Sequence, residues 1–204
     1  MSTQSIHNKA FASIVGHGRG FVFTPSHFSS LGTPPAIGMV LKRLVEAGTI
    51  RQLARGLYDY PVKHPKLGDL APSVDRVAKA LAGRDAIRLQ PSGAYAANLL
   101  GLSDQVPMKV VFLTDGVSRK IVLGKQTIIL KRTTPRNMAT AKRISGLVIQ
   151  ALRHLGQRHV DDSVVRILQQ RLTDDDKKQM LKDLRYAPAW IAVIMRKIAQ
   201  PTNH

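Results

Sequence analysis

The sequence predicts an α+β protein, with a winged helix-turn-helix over residues 1–66 followed by an α+β domain over residues 67–204 that has a small antiparallel sheet and C-terminal helices. Three observations predict it. Residues 19 to 61 read in order as two short helices, a tight turn and a β-hairpin rimmed with arginine. Residues 108–132 hold three strand-like runs separated by turn dipeptides, and the chain beyond about residue 140 is apolar at helical spacing.

The first element is an apolar-periodic helix from about Ser5 to Val15, closed by Gly16 and Gly18. Phe21-Val22-Phe23 makes a short β-like rung. Thr24-Pro25 then opens a second helix, as N-cap followed by proline at the first helical position, and Leu31-Gly32 stops it. Thr33-Pro34 repeats the opening, so a third helix starts only a turn away, as a helix-turn-helix requires. In that helix Ile37, Val40, Leu41, Leu44 and Val45 share one face. Advancing 100° per residue puts Met39, Lys42, Arg43 and Glu46 on the other side, with Ala36 and Gly38 at its margins. Thr33, Ala36, Met39, Lys42 and Arg43 are therefore the candidates to face a DNA groove. Gly48 stops the helix, Thr49 to Leu53 is β-rich, Ala54-Arg55-Gly56 turns, and Leu57 to Tyr60 returns before Pro61. In this wing Arg51 and Arg55 are the residues expected to meet phosphates or reach a minor groove.

Pro, Gly, Lys and His between Pro61 and Pro72 interrupt both periodicities and suggest the boundary. Ser73 is expected to cap a helix to about Ala82, Ala86 to Gln90 to form a short strand, and Ser92 to cap a small-residue helix ended by Gly101. Val110-Val111-Phe112-Leu113 suits a buried strand. Asp115-Gly116 and Gly124-Lys125 are hairpin signals, so an antiparallel meander of three strands is expected through Arg132. Helical stripes follow at Ile144 to Leu155 and Val164 to Leu172, and a last helix opened by Pro188 carries Trp190, Ile191, Ile194 and Ile198.

The chain has 31 Lys plus Arg against 13 Asp plus Glu, a net charge of +18, and a pI near 10.9. That excess points to a polyanionic partner. It is spread evenly, +6 over residues 1–66, +5 over 67–135 and +7 over 136–204, so the second domain is also a candidate for nucleic-acid contact, RNA included. No apolar run approaches a membrane span and the N-terminus has no signal-peptide pattern, so a soluble, cytoplasmic protein with no membrane partner is expected. The absence of cysteine excludes disulfides, thiolate metal sites and cysteine nucleophiles.

A catalytic reading finds little support. Asp174-Asp175-Asp176 follows Thr173 where a helix begins, and Asp161-Asp162 precedes another, so both read as caps that complement a helix dipole. The seven histidines lack metal-ligand spacing, and Ser92-Gly93 is neither a nucleophile elbow nor a phosphate loop. The glycine-rich run Gly16 to Gly20 follows a helix instead of a strand, which weakens it as a phosphate cradle. No catalytic residue, metal ligand or cofactor is assigned.

Gly18-Arg19-Gly20-Phe21-Val22-Phe23-Thr24-Pro25, Leu41-Lys42-Arg43-Leu44 with Gly48-Thr49-Ile50, and Arg55 to Pro61 resemble the N-terminal domain of AbiEi-type antitoxins. Ser92 to Leu102 with Gln105-Val106-Pro107 is similar to that family's central segment. The resemblance covers roughly residues 10 to 138. It implies a bacterial antitoxin of the type IV class, paired with a nucleotidyltransferase-like toxin, that represses its own operon by binding inverted repeats in promoter DNA while its C-terminal domain supplies the antidote activity. Arg119, Lys120, Arg143 and Arg153 are candidates for the surface that the antidote uses. The residues alone lead only to a DNA-binding domain fused to a second domain. A stand-alone regulator with a ligand-sensing second domain, an RNA-binding protein and a nuclease-like enzyme are the alternatives.

Overall fold

A computed structural model describes residues 3–200 and shows a mixed α and β chain. It divides into two compact units. The first runs to Ile87 and takes in Ile121–Gly124; the second takes Arg88–Lys120 and the described residues from Lys125 on.

In the first unit α1 (Thr3–Gly16), β1 (Val22–Phe23), a single 3-10 turn (Pro25–Phe28), α2 (Pro34–Glu46), β2 (Arg51–Ala54) and β3 (Leu57–Asp59) follow in that order. The strands form a sheet in the order β1-β3-β2. Both pairings are antiparallel, with Val22 opposite Asp59 and Arg51 opposite the same residue on the other side. Ala10 and Ile14 of α1, Phe23, Phe28, the α2 stripe Ile37, Val40, Leu41 and Leu44, and Ile50 make one core. Each of the larger side chains is worth roughly 1.5–3 kcal/mol by its removal from water. The α2 stripe is thus the one the sequence predicts, with Val45 only half-buried.

Where a second helix is expected there is only the 3-10 turn, with Phe28 as its buried residue. Six residues separate Pro25 from Gly32 and three of them are serine, too short and too prone to local hydrogen bonding to propagate an α-helix. A two-stranded ribbon, β4 (Lys63–His64) with β5 (Gly68–Asp69), leads into α3 (Val74–Asp85). Ser73 caps α3 as expected, its Oγ accepting the Arg76 N–H. The helix packs on β1 and buries Val74, Val77, Ala78 and Leu81. Residues 67–87 therefore group with the first unit, past the expected division at 66/67.

Ala86 ends α3 in the left-handed conformation, at φ 50°, so the next strand, β6 (Leu89–Ser92), starts three residues later than expected. It is followed by α4 (Gly93–Leu99), β7 (Lys109–Thr114), β8 (Arg119–Leu123) and β9 (Gln126–Arg132). The sheet order is β6-β7-β9-β8, with β6 antiparallel to β7 and β9 parallel to β7. The expected meander is corrected here, because β7 and β8 are not neighbours. Asp115 does not simply turn the chain: Arg88 donates to its carboxylate from the backbone N–H and from Nε, each at 2.8 Å. The loop then crosses the end of β9, where Ser118 Oγ accepts the Arg132 N–H and the Thr114 carbonyl accepts that of Thr133.

The remainder is helical: α5 (Pro135–Met138), α6 (Ile144–Leu155), α7 (Asp162–Arg171), α8 (Asp174–Lys182) and α9 (Ala189–Ala199). Ala96 and Ala97 of α4 pack with Val148, Ile149 and Leu152 of α6, and with Leu168, Met180, Ile191, Met195 and Ile198 of the last three helices. Gly146 permits a close approach: a Cβ there would fall 2.3 Å from the Thr140 carbonyl oxygen and 2.4 Å from Gln90 Oε1. No helix among the described residues is long and apolar enough to cross a membrane.

Candidate nucleic-acid interface

Burial of one α2 stripe decides what its other side presents. Met39 is 55% exposed, Lys42 and Arg43 are exposed, and Ala36 is half-buried. Lys42 Nζ lies 3.8 Å from Glu46 Oε1, with both side chains largely in solvent. Such a pair is worth about 0.3–0.5 kcal/mol and does not withhold Lys42 from a stronger anion. Gly38, exposed in the helix interior, has nothing within 4 Å of the place a Cβ would occupy. No packing demand explains a glycine that costs about 0.5–1 kcal/mol of helix stability. It leaves a shallow place where a partner's backbone can approach the helix.

Thr33 is exposed and in extended conformation at the N-cap, and its side chain makes no capping bond. Pro34 and Pro35 then take two N–H donors out of the first turn, so the helix end is a poor anion cradle by itself. Of the expected groove-facing residues, Thr33 alone offers a hydroxyl at this end.

The two hairpin arginines part company. Arg55 is exposed at the tip, in the two-residue turn Arg55-Gly56 with Gly56 at φ 71°. Arg51 Nε and Nη2 donate to the two carboxylate oxygens of Asp59 at 3.0 and 2.6 Å. Its Nη1 and Nη2 also donate to the carbonyls of Asp69 and Leu70, at 3.3 and 2.7 Å. The Asp59 side chain is only 1% exposed, and its hydrogen bond holds the Arg51 guanidinium above its ordinary value against the effect of partial burial. Arg51 is therefore corrected from a phosphate contact to a structural cation, its fork committed to one carboxylate and two carbonyls.

In the second unit the four antidote candidates do not form one patch. Arg119 is half-buried and Lys120 exposed on β8, where successive side chains point to opposite faces. Arg143 Nη1 donates to Asp183 Oδ1 at 2.8 Å, and Asp183 also accepts from the Ser145 hydroxyl and from Gln179 Nε2. Since Asp183 is 2% exposed, Arg143 neutralises a buried charge, while its own side chain stays 48% exposed. Arg153 is exposed and donates to Asn137 Oδ1 at 3.1 Å.

The carboxylate runs are caps. Thr173 Oγ1 accepts the Asp176 N–H and the Asp176 carboxylate accepts the Thr173 N–H, a reciprocal capping box. Asp161 accepts from the backbone of Ser163 and Val164. The Ser163 hydroxyl, followed by the Val164 N–H, holds its carboxyl below the usual range.

Sequence reasoning missed three partnerships: Arg88 with Asp115, Arg143 with Asp183, and Arg51 with Asp59. Only the last joins residues of one hairpin, where an irregularity in the register brings them opposite each other. The profile of a family of unknown function (DUF6088) matches residues 9–180 of the chain, across both units. No curated protein matches it.

Proposed function

The chain belongs to the DUF6088 family, and we propose from its own geometry that it binds duplex DNA through a winged helix-turn-helix in the first unit. The exposed face of α2 carries the proposal: Met39, Lys42 and Arg43 stand around the open position at Gly38, opposite a fully committed apolar stripe. The order α1, β1, 3-10 turn, α2, β2, β3, with Arg55 at the tip of the last hairpin, supports it. In this reading α2 enters a major groove, Arg43 and Met39 meet base edges, and Arg55 meets the backbone. The net charge of +18 supplies long-range attraction to the duplex.

By resemblance to AbiEi-type antitoxins, we propose further that the DNA is the chain's own promoter, with inverted repeats as operator. The second unit would then counteract a nucleotidyltransferase-like toxin encoded alongside. Lys120 and Arg153, together with Arg143 beside Asp183, are the exposed candidates there for contact with the toxin or its RNA target. The protein in this reading is a cytoplasmic antitoxin and repressor without catalytic residues.

Fluorescence anisotropy on the promoter fragment tests the DNA step. Affinity should fall steeply with salt, and Arg55→Ala should weaken binding to all sequences alike while lowering the salt slope by about 1. Arg43→Ala should change which operator variants are preferred, by about 1–3 kcal/mol at the contacted base. Binding to the promoter no tighter than to random duplex of equal length would remove the repressor. Persistence of the neighbouring gene's growth inhibition on co-expression would remove the antitoxin.

A further inference from the structure

Within the first unit, the 3-10 turn and α3 bound a cleft of about 620 Å³, well inside the size range of small-molecule sites. One wall is the end of a ladder of rings, of which Phe23, Phe21 and His17 line the cleft. Tyr58, Phe23, Phe21 and His17 succeed one another at centroid separations of 6.0, 5.2 and 4.1 Å, with successive planes 17°, 24° and 14° apart. The ladder begins at half-buried Tyr58 and ends on exposed His17. His17 Nδ1 lies 2.8 Å from the Ser13 carbonyl, which can only accept, so α1 fixes the ring with Nδ1 as donor. His27 meets both His17 and Phe21 edge-on at 5.1 Å and closes the corner.

The facing wall is cationic. Arg76 and Lys79 are one turn apart on α3 and both line the cleft. The Arg76 guanidinium rests on Gly20: a Cβ there would fall 1.9 Å from Nη1, and Gly20 is at φ 84°. Arg76 Nη1 also donates to the Arg19 carbonyl at 3.5 Å. Thr24 and Ser26 add a pair of hydroxyls, 2.8 Å apart. No carboxylate lines the cleft among the described residues.

We propose that this cleft binds a nucleoside monophosphate, its base stacked on His17 as the next rung of the ladder and its phosphate held by Arg76 and Lys79. A purely apolar ligand would leave the charges of Arg76 and Lys79 without a counter-charge, and bare phosphate would leave the ring surface unused. A cationic ligand would find no carboxylate. A planar ring joined to a dianion satisfies both walls. A free nucleotide and the 5′-terminal nucleotide of a nucleic-acid strand share this chemistry. The proposal stands whether or not α2 reads DNA.

Isothermal titration calorimetry of the full chain distinguishes the cases, with AMP, adenosine and inorganic phosphate as probes. A short single-stranded oligonucleotide is titrated with and without its 5′-phosphate. One-to-one binding of AMP is expected, with adenosine and phosphate each at least about tenfold weaker. His17→Ala and Lys79→Ala should each weaken AMP about tenfold, whereas Lys178→Ala on α8 should not change it. Tighter, phosphate-dependent binding of the oligonucleotide with the same sensitivity to both variants assigns the site to a strand end. If His17→Ala unfolds the unit, Lys79→Ala decides alone, since Lys79 is exposed. Failure of both AMP and the phosphorylated oligonucleotide to saturate, or binding indifferent to Lys79→Ala, overturns the proposal.

Discussion

Arg51 and Arg55 are four residues apart on one hairpin, yet one holds the fold and the other faces solvent. A plain two-residue turn at Arg55-Gly56 would pair Gln52 with Asp59 and Arg51 with Tyr60. The irregularity between Gln52 and Ala54 inserts one residue and shifts Arg51 opposite Asp59. The arginines were legible as a pair, but their roles turned on a bulge that no local signal announces. Arg51→Ala should destabilise the first unit by about 3–5 kcal/mol, because it strands a buried carboxylate, while Arg55→Ala should leave stability within about 0.5 kcal/mol. Trp190, the single tryptophan, lies in the second unit. Urea unfolding followed by circular dichroism should therefore shift for Arg51→Ala while the Trp190 fluorescence transition holds still. Equal, small effects from both substitutions would return Arg51 to the candidate interface.

At the scale of elements, the apolar stripes were the readable part. Ile37, Val40, Leu41 and Leu44 on α2 are buried as their 3.6-residue spacing predicts, and so are Val148, Ala151 and Leu152 of the α6 stripe, whereas Ile144, Leu147 and Leu155 of that stripe are only half-buried. The caps at Ser73, Thr173 and Asp161 were readable for the same local reason. What failed was decided by distant partners. Asp115-Gly116 carries a hairpin signal, but Arg88, 27 residues away, engages its carboxylate, and β9 rather than β8 takes the place beside β7. Ser92, expected as a cap, instead donates from its hydroxyl to Gln150 Oε1. Gly38 offers a test at this scale, since its cost to α2 and its proposed use pull in opposite directions. Gly38→Ala should raise the melting temperature of the first unit, by about 0.5–1 kcal/mol of stability. The same methyl should weaken promoter binding by standing in the groove-facing surface. A variant that is stabilised and binds as tightly as the parent would mean that no backbone approaches α2 at this point.

For the molecule as a whole, two units were foreseen but the division was set too early, at 66/67, on the strength of Pro and Gly between Pro61 and Pro72. That stretch is a ribbon inside the first unit, and two of its carbonyls, at Asp69 and Leu70, complete the hydrogen bonding of Arg51. Composition marks where the chain turns and not which unit the next helix joins, and α3 groups with the first, packing on β1 and burying Val74, Val77 and Leu81. The His17 ladder and the α3 cations were unreadable together for the same reason, because the expected boundary fell between them. A fragment ending at Lys66 gives up that helix. At roughly 1.5–3 kcal/mol for each of the three larger buried side chains, the loss is on the order of 5 kcal/mol or more, comparable with the whole stability of a domain this small. The Arg51 to Asp59 pair would also lose both carbonyl acceptors. A fragment ending at Ile87 should accordingly unfold in one cooperative thermal transition, whereas the one ending at Lys66 should show a broad, shallow melt and rapid amide exchange in β2 and β3. If the two fragments melt alike, α3 is an appendage, the division belongs at 66/67 after all, and the cleft that α3 walls off is not part of a stable unit.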